Sequence, residues 1–95
     1  MGDTHGLVLH LFVTGHTIRS ERAIRAVRQV CGPAGDLYHL TVVDVLEQPE
    51  LAEAHRVIAT PTLIRHTPEP IKRIIGDLSD LEALALALDL AWEPS

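Results

Sequence analysis

The run Ile58-Ala59-Thr60-Pro61-Thr62-Leu63 decides how this chain is read. An apolar-Thr-Pro-Thr turn leads directly into a strand, Thr62 to His66. Proline accepts a cis peptide bond at far lower cost than any other residue, so a Thr-Pro step at the mouth of a strand marks a deliberate turn. Downstream, Thr67-Pro68-Glu69-Pro70 is too rich in proline to be strand interior. It joins the strand to a second one, Ile71 to Ile75, in a hairpin that Gly76-Asp77 ends. Upstream, Glu47-Gln48-Pro49-Glu50 opens a short helix. Pro49 suits its first turn, and Glu50 is favourable near the positive end of the helix dipole.

Further out, Leu7 to Val13 (LVLHLFV) is nearly all apolar, as expected of a strand buried on both faces of a parallel sheet. Gly15 breaks it. Thr17 or Ser20 then caps a helix running to about Cys31, with Ala23, Ile24, Val27, Val30 and Cys31 on its inward face. Gly32-Pro33 ends that helix. Leu37 to Val45 is the second strand. Ser79-Asp80-Leu81-Glu82 reads as a capping box for a last helix reaching about Trp92. This segment carries two signals. Leu84, Leu86, Leu88 and Leu90 alternate as in a strand, while Leu81, Leu84, Ala85, Leu88, Ala91 and Trp92 share one helical face. Ala and Leu are strong helix formers and Ala is depleted in strands, so helix is expected. The predicted order is βαβαββα: an α/β fold with a mixed four-stranded sheet and helices on both faces.

The 95 residues fit one domain spanning 1–95, with its core over about 7–92. A chain of this size buries roughly 60–70% of its unfolded surface. A net charge of −5 and single Phe, Tyr and Trp residues argue against binding nucleic acid. The one cysteine, Cys31, excludes an intramolecular disulfide and a Cys-rich zinc site. Met1 to Gly6 lacks the basic and apolar regions of a signal peptide, and no apolar run reaches the ~18 residues of a membrane span. A cytoplasmic protein is expected, with no membrane partner.

The proline turn is how thioredoxin-like domains place a proline beside their redox centre. That centre needs a cysteine opening the first helix, and Thr14-Gly15-His16-Thr17-Ile18-Arg19-Ser20 holds none. Cys31 lies at the other end of the helix, away from the terminus that would lower a thiol pKa, and reads as a small buried apolar residue. No catalytic residue and no cofactor are expected. The six histidines, His5, His10, His16, His39, His55 and His66, show no ligand spacing to one another, to Cys31 or to a carboxylate. His10 and His39 could neighbour each other on adjacent strands, but two ligands make no zinc site. Glu47, Glu50 and Glu53 read as solvated acids around a helix start, and Asp44 as a strand-end carboxylate reaching local backbone donors.

Asp44-Val45-Leu46, Gln48-Pro49-Glu50-Leu51-Ala52, Ile58 to Leu63 and Arg73-Ile74-Ile75-Gly76-Asp77-Leu78-Ser79 together resemble the KaiB family of clock proteins, over roughly Leu7 to Trp92. The sensor domain of the clock's histidine kinase is similar too. The resemblance implies a non-enzymatic protein that binds one ring of the hexameric ATPase KaiC in a monomeric, thioredoxin-like form. It also implies a possible second fold, in which the C-terminal half repacks, the last helix becomes a strand and tetramers form. Pro61, Pro68 and Pro70 match prolines of that switch, and Ala87 and Asp89 complete the expected fold-switch positions. Clock members usually have Gly where this chain has Ala87, and Tyr where it has Trp92. Ala in place of Gly favours helix by about 0.5–1 kcal/mol, which predicts a thioredoxin-like free state.

Two basic groups are candidate partner-binding residues. Arg22, Arg25 and Arg28 form a helical stripe with Arg19 just before it, either a solvated face or a surface for an acidic partner. Arg22 matches a KaiB position implicated in partner binding. Arg56, Lys72 and Arg73 lie near the proline turn and hairpin, and Arg56 and Arg73 rank first, because guanidinium groups bind carboxylates bidentately. His39 and Thr41 replace the small and basic residues that meet KaiA, which argues against KaiA capture. The other functions open to the chain are a thiol-dependent redox carrier and a free-standing adaptor for a histidine kinase or a stress-response partner.

Overall fold

The computed structural model of the protein describes residues 6–90. Strand β1 (Leu7–Val13) leads to α1 (Ile18–Cys31), a 3-10 run (Gly32–Leu37) and β2 (Tyr38–Asp44). Then come α2 (Pro49–Ala54), β3 (Thr62–Thr67), β4 (Lys72–Ile75) and α3 (Leu81–Ala87). The predicted order is the order found. The sheet runs β2-β1-β3-β4. β1 pairs parallel with β2, from Leu7 opposite Tyr38 to Val13 opposite Asp44. The β1–β3 and β3–β4 pairs are antiparallel.

Strand alternation sends successive side chains to opposite faces and so divides the core in two. On one face Leu7, Leu9, Leu11, Val13 and Leu63 pack against Ala23, Val27, Val30 and Cys31 of α1 and Leu84, Ala85 and Leu88 of the α3 segment. On the other, Phe12, Val43 and Ile64 pack under Ala52 of the shorter α2. Thr17 caps α1, its hydroxyl accepting from the Ser20 N–H at 3.0 Å. Ser20, the alternative cap, is buried inside the first turn and donates to the Thr14 carbonyl at 3.2 Å.

α3 departs from expectation at both ends. Its cap is Asp80, whose carboxylate accepts from Ala83 N–H at 3.1 Å, and Ser79 stands outside the helix. The helix stops at Ala87 instead of running to about Trp92; Ala91 and Trp92 lie outside the described residues. Asp89 has φ 62°, its N–H bonds the Leu86 carbonyl at 3.1 Å and Leu90 N–H bonds the Ala85 carbonyl at 2.8 Å. These two bonds and the left-handed residue are a Schellman motif, which closes a helix regardless of the propensity of the residues beyond it. α2 ends the same way: Arg56 has φ 55°, Arg56 N–H bonds Glu53 and Val57 N–H bonds Ala52. Pro61, Pro68 and Pro70 each follow a cis peptide bond.

Candidate functional site

The loop that would carry a redox cysteine is fastened by hydroxyls. Thr14 Oγ1 and Thr60 Oγ1 lie 2.6 Å apart, linking the start of the β1–α1 loop to the residue before Pro61. Cys31, the chain's only cysteine, is wholly buried at the far end of α1, and burial pushes its thiol up to about 11. A thiol in that state is a poor nucleophile. We expect no reaction between Cys31 and Ellman's reagent in the folded protein and one equivalent after denaturation, followed by absorbance. Rapid labelling of the native chain would contradict this.

A groove of about 410 Å³ lies beside Pro61, lined by Ile18, Arg19, Arg22, Asp77 and Leu78 among others. Arg22 therefore sits on the α1 side of the molecule. The Asp77 carboxyl is held below its usual range, first by the hydroxyl and backbone N–H of Ser79 and then by Arg19 and Arg22.

Arg56 and Arg73 lie on the α2 side. The Arg73 guanidinium donates to the carbonyls of His55 and Arg56, which closes the end of α2 onto β4. Both arginines are exposed. Lys72, adjacent to Arg73, projects to the opposite face, where its Nζ pairs with Asp89 at 3.0 Å. The second basic group is thus split by strand alternation, with Arg22 on the α1 side.

Asp89 does not simply face solvent. Its side chain is 61% exposed but takes Lys72 and Arg65 together. Sequence reasoning overlooked Arg65. Its side chain is 1% exposed, and it donates to the Leu88 carbonyl at 2.9 Å, to Asp89 at 3.1 Å and to the Pro70 carbonyl at 3.0 Å. Its Nε is the one buried side-chain polar atom without a partner among the described residues. Arg65 thereby ties two of the expected fold-switch positions, Pro70 and Asp89, to the sheet.

The histidines are also rearranged. Register places His10 opposite Thr41 and His39 opposite Val8, so the expected His10–His39 neighbours do not form. Instead His10 Nδ1 meets His66 Nε2 at 2.7 Å, and the His55 ring lies 5.5 Å from each of theirs. Burial, then His66 and His55, lower the His10 pKa; burial, then His55 and Arg73, lower that of His66. The folded state thus disfavours their protonation, and the unfolded chain binds more protons below about pH 6.5. Stability is full above that pH and is lost as pH falls through the lowered values. Thermal melts should show the midpoint dropping between pH 7.5 and pH 5, and His66→Val should flatten that slope; an unchanged slope would refute the coupling.

Asp44 reaches local donors as predicted. Its Oδ1 accepts from Gly15 N–H at 2.9 Å and Leu46 N–H at 3.0 Å, and these bonds hold its pKa below the usual carboxylate range. The fold also brings His16 and Glu47 to this carboxylate, a grouping that their sequence spacing did not signal. Among the described residues no helix is long and apolar enough to cross a membrane.

This architecture has known counterparts. The N-terminal domain of Synechococcus elongatus SasA superposes with a TM-score of 0.74 at 26% identity, covering 94% of this chain and 89% of that domain. The Drosophila thioredoxin Deadhead superposes with a TM-score of 0.72 at 16% identity, over 90% and 80% of the two chains, a likeness of fold alone. Circadian clock protein KaiB3 of Synechocystis sp. is 44% identical over 92 residues, covering 96% of this chain and 90% of that protein. A circadian clock oscillator protein KaiB of Synechococcus sp. is 46% identical over 87 residues, 90% and 79% of the respective lengths. With the KaiB domain model matching residues 10–90 and the sulfur-free proline turn built as described, the chain belongs to the KaiB family of circadian clock proteins.

Proposed function

We propose that the protein is a non-catalytic cytoplasmic regulator that docks on a KaiC-like ATPase ring in its thioredoxin-like form and modulates the ring's phosphorylation cycle. The observation that supports this reading best is the surface at the end of α2. Exposed Arg56 and Arg73 are joined through backbone there, beside Ile58 and Ile75, which are 90% and 53% exposed. Guanidinium groups flanked by apolar side chains suit a partner surface bearing carboxylates. Arg22 contributes from the Pro61 groove, and Lys72 through the segment it holds with Asp89. Capture of KaiA forms no part of this reading, since His39 and Thr41 are exposed on the outer strand β2 without basic neighbours on that strand. Mixing the protein with a KaiC homologue in ATP or ADP should yield a complex in native mass spectrometry. None at high micromolar concentration would overturn the proposal.

In the docking form the chain is monomeric, and apparent affinity scales with the population of that form. Pro61, Pro68, Pro70, Ala87 and Asp89 are the positions on which exchange with a second, tetrameric packing would turn. Ala87, the last residue of α3, favours the helix. Backbone NMR of the free chain should therefore find residues 84–87 helical; strand shifts through 84–90 would reverse this prediction. A second reading, an adaptor that binds a histidine kinase or another regulator, is favoured by the likeness to the SasA domain. Capture of a kinase and no ring ATPase from the native cell extract would select it.

A further inference from the structure

We propose that His16, Asp44 and Glu47 form a binding site for a divalent transition-metal ion of the zinc type. The proposal is independent of the docking reading. Three segments supply the site: the β1–α1 loop, the last residue of β2 and the turn before α2. One ligand atom from each residue lies within 4.8 Å of the others, close enough for small rotations of the exposed side chains to bring them to the roughly 3.5 Å separation that tetrahedral bonds of about 2.0–2.2 Å require. The parallel pairing of β1 with β2 creates this proximity. Val13 opposite Asp44 brings both strand ends level, so the loop leaving β1 and the turn leaving β2 share one edge. Ligand sites in sheets of this kind form at the carboxyl ends of parallel strands.

The chemistry of the three groups selects the ion. One imidazole and two carboxylates form a borderline donor set, suited to Zn²⁺, Co²⁺ or Mn²⁺; Ca²⁺ and Mg²⁺ prefer oxygen alone and Cu⁺ prefers sulfur. The two carboxylates balance a dication, and the net charge of −5 adds attraction. Asp44 is already oriented. The hydrogen bonds found among the described residues reach its Oδ1 from Gly15 and Leu46, so Oδ2 is directed without new reorganisation. Backbone donors that fix a ligating carboxylate in this way raise metal affinity. His16 and Glu47 are exposed and can turn onto the ion, with water filling the remaining positions. The bound ion would clamp the β1–α1 loop to the β2–α2 turn, at the place where a thioredoxin carries its cysteines. The imidazoles of His10, His55 and His66 are the competing site. His10 and His66 come together as a pair, but the three do not jointly bring one nitrogen each within this distance, and Arg73 beside His66 opposes a cation there.

The test is titration of the tag-free chain with Co²⁺, read by its visible ligand-field absorption, and with Zn²⁺ by calorimetry. One ion per chain is expected. His16→Ala and Glu47→Gln should each weaken binding by at least about tenfold, while the double variant His10→Ala/His66→Ala should leave it unchanged. Both residues of the first pair are surface groups, so far-UV circular dichroism should find those variants folded. Absence of saturable binding, or binding that survives His16→Ala and Glu47→Gln, would overturn the assignment, as would loss of binding in the His10/His66 variant alone.

Discussion

Arg65→Ala is expected to cost at least about 3 kcal/mol and to lower the melting temperature by more than about 10 °C. Two effects add. The truncation empties a volume beneath α3 that a 1%-exposed side chain fills, and large-to-small changes in such places cost about 2–5 kcal/mol. It also removes the donors to the Pro70 carbonyl, on an exposed residue, and to the buried Leu88 carbonyl, and a buried polar group left unpaired costs roughly 1–3 kcal/mol. The salt bridge to Asp89 is the smaller part, because that carboxylate is 61% exposed and solvent screens the pair. Asp89→Asn, which keeps a residue that tolerates φ above zero, should therefore move the midpoint far less than Arg65→Ala. Arg65→Met separates the two larger effects, since it restores most of the volume and none of the hydrogen bonds. If Arg65→Met melts with the parent protein, packing alone explains the site. If Arg65→Ala melts within a few degrees of the parent, the account of Arg65 as the tie between hairpin, β3 and α3 is wrong.

The same residue marks the limit of what could be read from the chain. Leu7 to Val13 announced a doubly buried strand because seven residues contain only one polar side chain, and it was found with those bounds. Pro49 and Glu50 marked the start of α2 through local rules that need no tertiary partner. α3 was legible in kind but not in length. The Leu/Ala periodicity continues past Ala87, and nothing local says stop except Asp89, a residue whose left-handed conformation is held by groups from β3 and β4. Arg65 follows the same logic. An arginine in a short strand reads as solvent-facing until α3 folds over it and its own C-terminal carbonyl becomes the acceptor. The histidines were misplaced because His10 and His66 are 56 positions apart and meet only through the antiparallel register of β1 and β3. The basic residues were singled out as candidates by resemblance and composition. That Lys72 and Arg73 part to opposite faces is a consequence of strand period once β4 is assigned.

Exchanging Arg56 and Arg73 together for glutamate is expected to abolish docking on a KaiC-like ring, and Arg56→Gly is the variant that gives this result its meaning. Arg56 occupies the left-handed position that ends α2, at φ 55°. A side chain there costs roughly 1 kcal/mol relative to glycine, and glycine is the residue most often used in this motif. The arginine is exposed and makes its internal contacts through backbone: its N–H bonds Glu53 and its carbonyl accepts from Arg73. All of these survive replacement by glycine. Arg56→Gly should thus melt at or above the parent temperature, by up to about 1 kcal/mol of added stability. It should nevertheless weaken ring binding, because losing one partner of a desolvated charge pair at an interface costs about 2–5 kcal/mol, roughly thirtyfold or more in Kd. The double reversal adds like-charge repulsion and should push Kd beyond reach of calorimetry. A variant that gains stability while losing affinity places the side chain in the interface, because damage to the fold would lower both. Arg56→Gly binding a KaiC homologue with parental affinity would remove Arg56 from the docking surface and leave its strained backbone without a functional reason.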